Sequence, residues 1–189
     1  MAQVKHHQSE KPVSPVVVTA KAAEPPTRDA QDAGSKRQRI YEETRRLLEA
    51  GDAAKAFHTM NAAAKDDASK NLKGVCLLRM GDHEAALRLF RSLVLKGGTT
   101  WMRQDAPLVH KVNFATALLL AGHPAGCKDV LVEISQPDHP AVARLQAALK
   151  KWRASLTLPQ KFLWFIGQEP AKPVTLDFPP GVLEDEASA

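Results

Sequence analysis

Residues able to do covalent or metal chemistry occur in this chain, but their spacing does not assemble them. The 189 residues include seven histidines and two cysteines. His83-Glu84 begins like a zinc-protease helix, yet no second histidine follows one turn later to complete a metal pair. The adjacent His6-His7 imidazoles lie where no third or fourth ligand is near in sequence. Gly97-Gly98 is followed by threonines, without the Lys-Ser/Thr that meets a nucleotide phosphate, and no serine sits in a nucleophile elbow. Cys76 and Cys127 read as small buried hydrophobes rather than a disulfide or metal pair. The expectation is a protein that is not an enzyme and carries no cofactor and no metal, its chemistry being non-covalent recognition.

Composition narrows what does the recognising. Hydrophobic residues make up 44% of the chain but aromatics only 5%, which suits helical packing rich in Ala and Leu better than a β-sandwich. Residues 35–157 carry 20 Lys/Arg against 12 Asp/Glu, whereas residues 158–189 carry 2 against 5, so a basic body precedes an acidic end. A basic body raises the expectation of an acidic partner, whether nucleic acid, an acidic peptide or its own tail. No stretch approaches the ~20 apolar residues of a membrane span. Val16–Val18, preceded by Pro15, is too short for a signal-peptide core, so a cytoplasmic location is expected.

The elements that would position a binding face are helices joined by glycine turns. Residues 1–34 are too polar and proline-containing to offset chain ordering and are expected to be a disordered tail. Ile40, Tyr41, Thr44, Leu47 and Leu48 then recur at helical spacing up to Gly51-Asp52. The same turn returns at Gly81-Asp82, and Gly122-His123-Pro124 follows as a variant. Glycine there accepts the positive φ that ends a helix, and aspartate caps the next one. Around Gly81, Gly74 stands seven residues before, Ala86 five after and Phe90 nine after. Ala56 and Met60 hold the last two places around Gly51. Ala115, Cys127 and Leu131 hold all three around Gly122.

This pattern, strongest over Ala68–Leu95, resembles the tetratricopeptide repeat (TPR) family. The resemblance implies an all-α fold: a TPR-like array of helical hairpins (an α-solenoid) of about three units, near residues 36–66, 67–98 and 105–136, closed by a C-terminal capping helix at 138–157. Lys73 departs from the leucine usual at its position. The turn spacings of 30 and 41 residues depart from the standard ~34, placing an insertion in the Gly97–Asp105 loop. The family binds partners along the concave face made by the first helix of each pair. Its register implies a peptide-binding groove of Tyr41, Arg45, Leu48, Asn71, Val75, Leu78, Arg79, Val112, Thr116 and Leu119. Asn113 falls near a place where some members clamp a terminal carboxylate. Tyr41 and Arg45 replace the accompanying lysine and asparagine, so no such clamp is expected.

Val142, Leu145, Leu149, Trp152 and Leu156 form one apolar stripe on the final long helix, with Arg144, Lys150, Lys151 and Arg153 on its other face. Residues 158–189 form an aromatic segment followed by a Pro-rich acidic strap. Phe162–Ile166 are expected to fold back onto Val142, Leu149 and Trp152, letting Pro170–Pro180 cross the helices. Docking on a partner or lying in a membrane interface are the other fates, the last disfavoured by an acidic end with only Lys161 and Lys172 as anchors. The function expected is a non-catalytic scaffold or adaptor binding a protein or peptide. The alternative is a nucleic-acid-binding accessory protein using Lys36, Arg37, Arg39, Arg45 and Arg46, although Glu42 and Glu43 interrupt that cluster and only Tyr41 offers a stacking ring.

Overall fold

The computed structural model describes residues 28–63 and 66–183. The expectations for residues 1–27, including His6-His7, and for the acidic terminus 184–189 lie outside the described residues. Within them the chain is all-helical: α1 (Arg28–Glu49), α2 (Ala53–Thr59), α3 (Asp67–Met80), α4 (His83–Val94), α5 (Leu108–Leu120), α6 (Pro124–Glu133), α7 (Pro140–Ala154) and α8 (Leu158–Phe165). No helix among the described residues is long and apolar enough to cross a membrane. α1 begins at Arg28, ahead of the boundary near residue 35 expected from composition. Residues 28–39 are nearly devoid of apolar side chains but rich in Ala, Arg, Gln and Lys, which favour a helix without needing burial.

From α1 to α7 each helix packs on the next, and α3 also touches α5, as α5 touches α7. The turns explain the hairpins. Gly51, Gly81 and Gly122 all take positive φ, at 80°, 82° and 88°. The side chains of Asp52 and Asp82 then accept from the amides of Lys55 at 3.2 Å and Ala85 at 3.1 Å, capping α2 and α4. His123 supplies no such bond to α6.

Within the central hairpin the crossing of α3 and α4 leaves no room beside Gly74. A Cβ there would stand 2.5 Å from the Phe90 ring, and Phe90 and Ala86 are completely buried. Ala115 and Cys127 are likewise completely buried on α5 and α6. Residues 95–107 carry the chain across to α5, with Leu95 and Met102 paired in an isolated bridge, Met102 buried and Trp101 left outside. At the other end of α3, Asp66 caps the helix by accepting from the Ser69 amide at 2.7 Å. Burial alone would raise the Asp66 carboxyl. Bonds from the Ser69 amide and hydroxyl and from Tyr41, with the Arg37 guanidinium close by, hold it below the ordinary carboxylate value instead.

α8 folds back only in part. Trp164 meets Trp152 edge-on at 5.5 Å between centroids and Leu163 is half-buried, whereas Leu158, Phe162, Phe165 and Ile166 are exposed. The expectation that Phe162–Ile166 would dock together fails because consecutive residues point different ways around a helix. Positions 158, 162, 165 and 166 share one side of α8, and the half-buried Leu163 and Trp164 lie on the other.

Gly74→Ala is expected to destabilise the fold by ~1–3 kcal/mol, because the added methyl must displace the packed Phe90 ring. Urea or thermal unfolding of the variant measures this; an unchanged midpoint would mean the crossing is looser than its geometry.

Candidate functional site

Beyond α8 the chain becomes extended, and it lies along the face made by α3, α5 and α7. Prolines 170, 173, 179 and 180 keep this segment out of a helix. Extended backbone sends successive side chains to opposite sides. From Ala171 to Pro180 burial alternates at every residue, with Lys172, Val174, Leu176, Phe178 and Pro180 turned inward, and Gly181, Val182 and Leu183 are then all buried.

The strap is held at both ends and in between. Glu169 reaches the N-terminus of α6: one carboxylate oxygen accepts from the Ala125 amide at 3.2 Å and the other lies 3.2 Å from His123 Nδ1. Trp152 Nε1 donates to the Lys172 carbonyl at 3.0 Å, and Lys172 Nζ donates to the Ser155 carbonyl at 2.6 Å. Arg144 lies over the Phe178 ring at 5.6 Å. Lys151 pairs with Asp177 at 3.2 Å, but both are well exposed and such pairs contribute little.

The tightest reading of the strap is at Val182. Asn113 Oδ1 accepts from the Val182 amide at 2.7 Å and Asn113 Nδ2 donates to the Val182 carbonyl at 3.0 Å, so one carboxamide pairs both backbone groups of one residue. The same Nδ2 donates to Asn71 Oδ1 at 2.9 Å, which fixes the orientation of the amide. Asn113 and Asn71 are both buried. Just before, Arg79 Nε donates to the Pro180 carbonyl at 3.3 Å while its Nη1 donates to the Leu48 carbonyl at 3.0 Å. Gly181 has φ 87°, and a Cβ there would lie 2.9 Å from Val75, so this register admits glycine alone without strain. A cavity of about 90 Å³ remains between the strap and the helices, bordered by Val112, Thr116 and Arg144.

The residues expected to line the groove divide into three sets. Asn71, Val75, Arg79, Val112 and Thr116 surround the strap. Leu48, Leu78 and Leu119 are buried side chains of the core, Leu48 adding only its carbonyl to hold Arg79. Tyr41 is drawn elsewhere: its hydroxyl bonds Asp66 at 3.0 Å and Ser69 at 2.7 Å, tying α1 to the start of α3, and Arg45 is half-buried on the same helix. Asn113 was outside the expected groove set, yet it is the residue that pairs the strap backbone. Its partner is Val182, an internal residue, not a chain-terminal carboxylate.

Among the described residues no group of His, Cys, Asp and Glu is placed to hold a metal. Burial pushes the thiols of Cys76 and Cys127 up to about 12, so both are protonated and shielded at neutral pH. Comparison with protein-family models, with curated proteins and with solved structures returns no match, so the reading of the groove rests on its own geometry.

Asn113→Ala is expected to leave the Val182 amide and carbonyl without partners, at a cost of about 1–3 kcal/mol for each group that stays buried. The chain avoids this cost by releasing the strap. Hydrogen exchange should therefore accelerate at Val182 while the amides of α3 and α4 keep their protection. Unchanged exchange at Val182 would show that the strap is held by its side chains alone.

Proposed function

We propose that this protein is a non-catalytic interaction scaffold, a TPR-like helical array whose concave groove binds an extended protein segment, and that its own C-terminal strap is the resident occupant. The observation that carries the reading is the pairing of Asn113 with both backbone groups of Val182. A carboxamide set in this way recognises extended backbone whatever the side chain, while the alternating inward positions and the glycine register supply selectivity. The turn glycines at positive φ, the aspartate caps and the Gly74–Phe90 crossing support the TPR-like assignment. The two free, buried cysteines fit the cytoplasm, where thiols stay reduced. An adaptor of this kind would exchange its strap for a partner segment of the same chemistry, with apolar side chains at alternate positions, prolines and a glycine.

The test opens the groove without altering its walls. Gly181→Val in the full chain places a branched side chain at positive φ against Val75, releasing the strap, and hydrogen exchange at Val182 verifies the release. A labelled peptide of residues 170–189 should then bind saturably to the variant and far more weakly to the wild type. Adding Asn113→Ala or Arg79→Glu should abolish binding. Binding should change little between ~50 and ~200 mM salt, whereas a nucleic-acid contact made through several phosphates would weaken by ~10³-fold or more. An opened groove that ignores the peptide overturns the reading. An opened chain that instead binds single-stranded oligonucleotide with that steep salt dependence establishes the nucleic-acid alternative.

A further inference from the structure

A second concave surface lies away from the strap, between α6, α7 and α8. It is a groove of about 1180 Å³ whose floor includes Leu131, Ile134, Leu149 and Trp164. Its lips carry Val132 and Phe165, which are 78% and 85% exposed. Apolar side chains this exposed, lining one groove, are of the kind that marks an interaction surface. The rim is of one sign: Lys128, Lys150, Arg153 and Lys161 line the groove and no acidic residue does. Lys128 has a long 4.0 Å contact to Asp129, while Lys150, Arg153 and Lys161 make no ion pair with a described residue.

We infer that this groove is a docking site for an amphipathic helix of a partner protein, apolar on one face and acidic on its flanks. Shape and charge select this occupant. A helix about 10 Å across and ~15 Å long, roughly ten residues, has about the volume of the groove and leaves its flanks opposite the rim. A flat bilayer cannot reach the floor of a concavity. A second copy presenting the same face would oppose four cations to four cations, a juxtaposition that disfavours isologous pairing. A helix with apolar residues at three- and four-residue spacing and Glu or Asp beside them meets both the floor and the rim. The site is independent of the strap, since none of its residues bonds to residues 169–183.

The test uses the full chain and a synthetic 18-residue helical peptide with leucines along one face and glutamates on the others. A control peptide replaces every glutamate by lysine. Fluorescence anisotropy should show saturable binding of the glutamate peptide and none of the lysine peptide. Lys150→Glu combined with Arg153→Glu should weaken binding about tenfold, and Phe165→Ala should weaken it similarly. All three positions lie outside the buried core, so the variants should melt with the wild type. Equal binding of the two peptides, or binding that ignores the three substitutions, overturns the proposal. So does sedimentation of the chain with anionic phosphatidylserine vesicles when the peptide does not bind, or self-association lost on Phe165→Ala.

Discussion

An extended segment laid on helices has no neighbouring strand to pair with, and that constraint governs the C-terminal half of this molecule. Each buried amide and carbonyl must find a side chain or remain at the surface. The helices answer with donors and acceptors aimed at single backbone groups: Trp152 at Lys172, Arg79 at Pro180, and Asn113 at both groups of Val182. Asn113 comes closest to a strand, because its carboxamide offers a donor and an acceptor side by side as a peptide unit does. The buried Asn71 beneath it decides which way that amide faces. Four polar contacts thus hold in register a segment whose apolar side chains would otherwise be free to slide.

Glu169 extends the same logic into the fold itself. Two of the three glycine turns carry their own capping aspartate, and the third carries His123 and Pro124. Pro124 removes one of the amides that need a partner at the start of α6, and Glu169 accepts from the next, at Ala125. A carboxylate at a helix N-terminus also meets the positive end of the helix dipole. The cap missing locally is therefore supplied from the strap, so the third hairpin and the seating of the strap stabilise each other.

Much of this arrangement is legible in the sequence, and the exceptions have a common cause. The turn glycines, the aspartate caps and the small residue opposite Phe90 are signals that each lie within ten residues of their turn glycine, and the structure shows them as read. Five of the ten groove positions border the strap because helical periodicity places Asn71, Val75 and Arg79 on one face of α3, and Val112 and Thr116 on one face of α5. Asn113 was missed as a groove residue because its partner is 69 residues away, beyond any periodic pattern. Tyr41 was assigned to the groove because its contacts with Asp66 and Ser69 cross between helices and leave no local trace. In the strap, Val174, Leu176 and Phe178 alternate as an extended, half-buried segment should. The prolines exclude a helix there, which is why the segment was expected as an extended strap crossing the helices; which helix faces it meets leaves no local signal.

Those prolines help explain how such a segment serves as an occupant. Each one removes an amide that would need a partner in the groove, and each narrows the unfolded ensemble, so less entropy is lost on docking. A Pro-rich strap can therefore settle on helices with few hydrogen bonds where an ordinary sequence would leave buried amides unpaired. On the proposed reading the same economy sets how readily the groove opens. A tethered occupant acts at an effective concentration on the order of mM. A free segment at micromolar concentration must bind about 10³-fold more tightly to displace it, which is ~4 kcal/mol. Matching the strap residue for residue is not enough. A partner that opens the groove must add contacts the strap lacks, or weaken the seat at Glu169 and Val182 first.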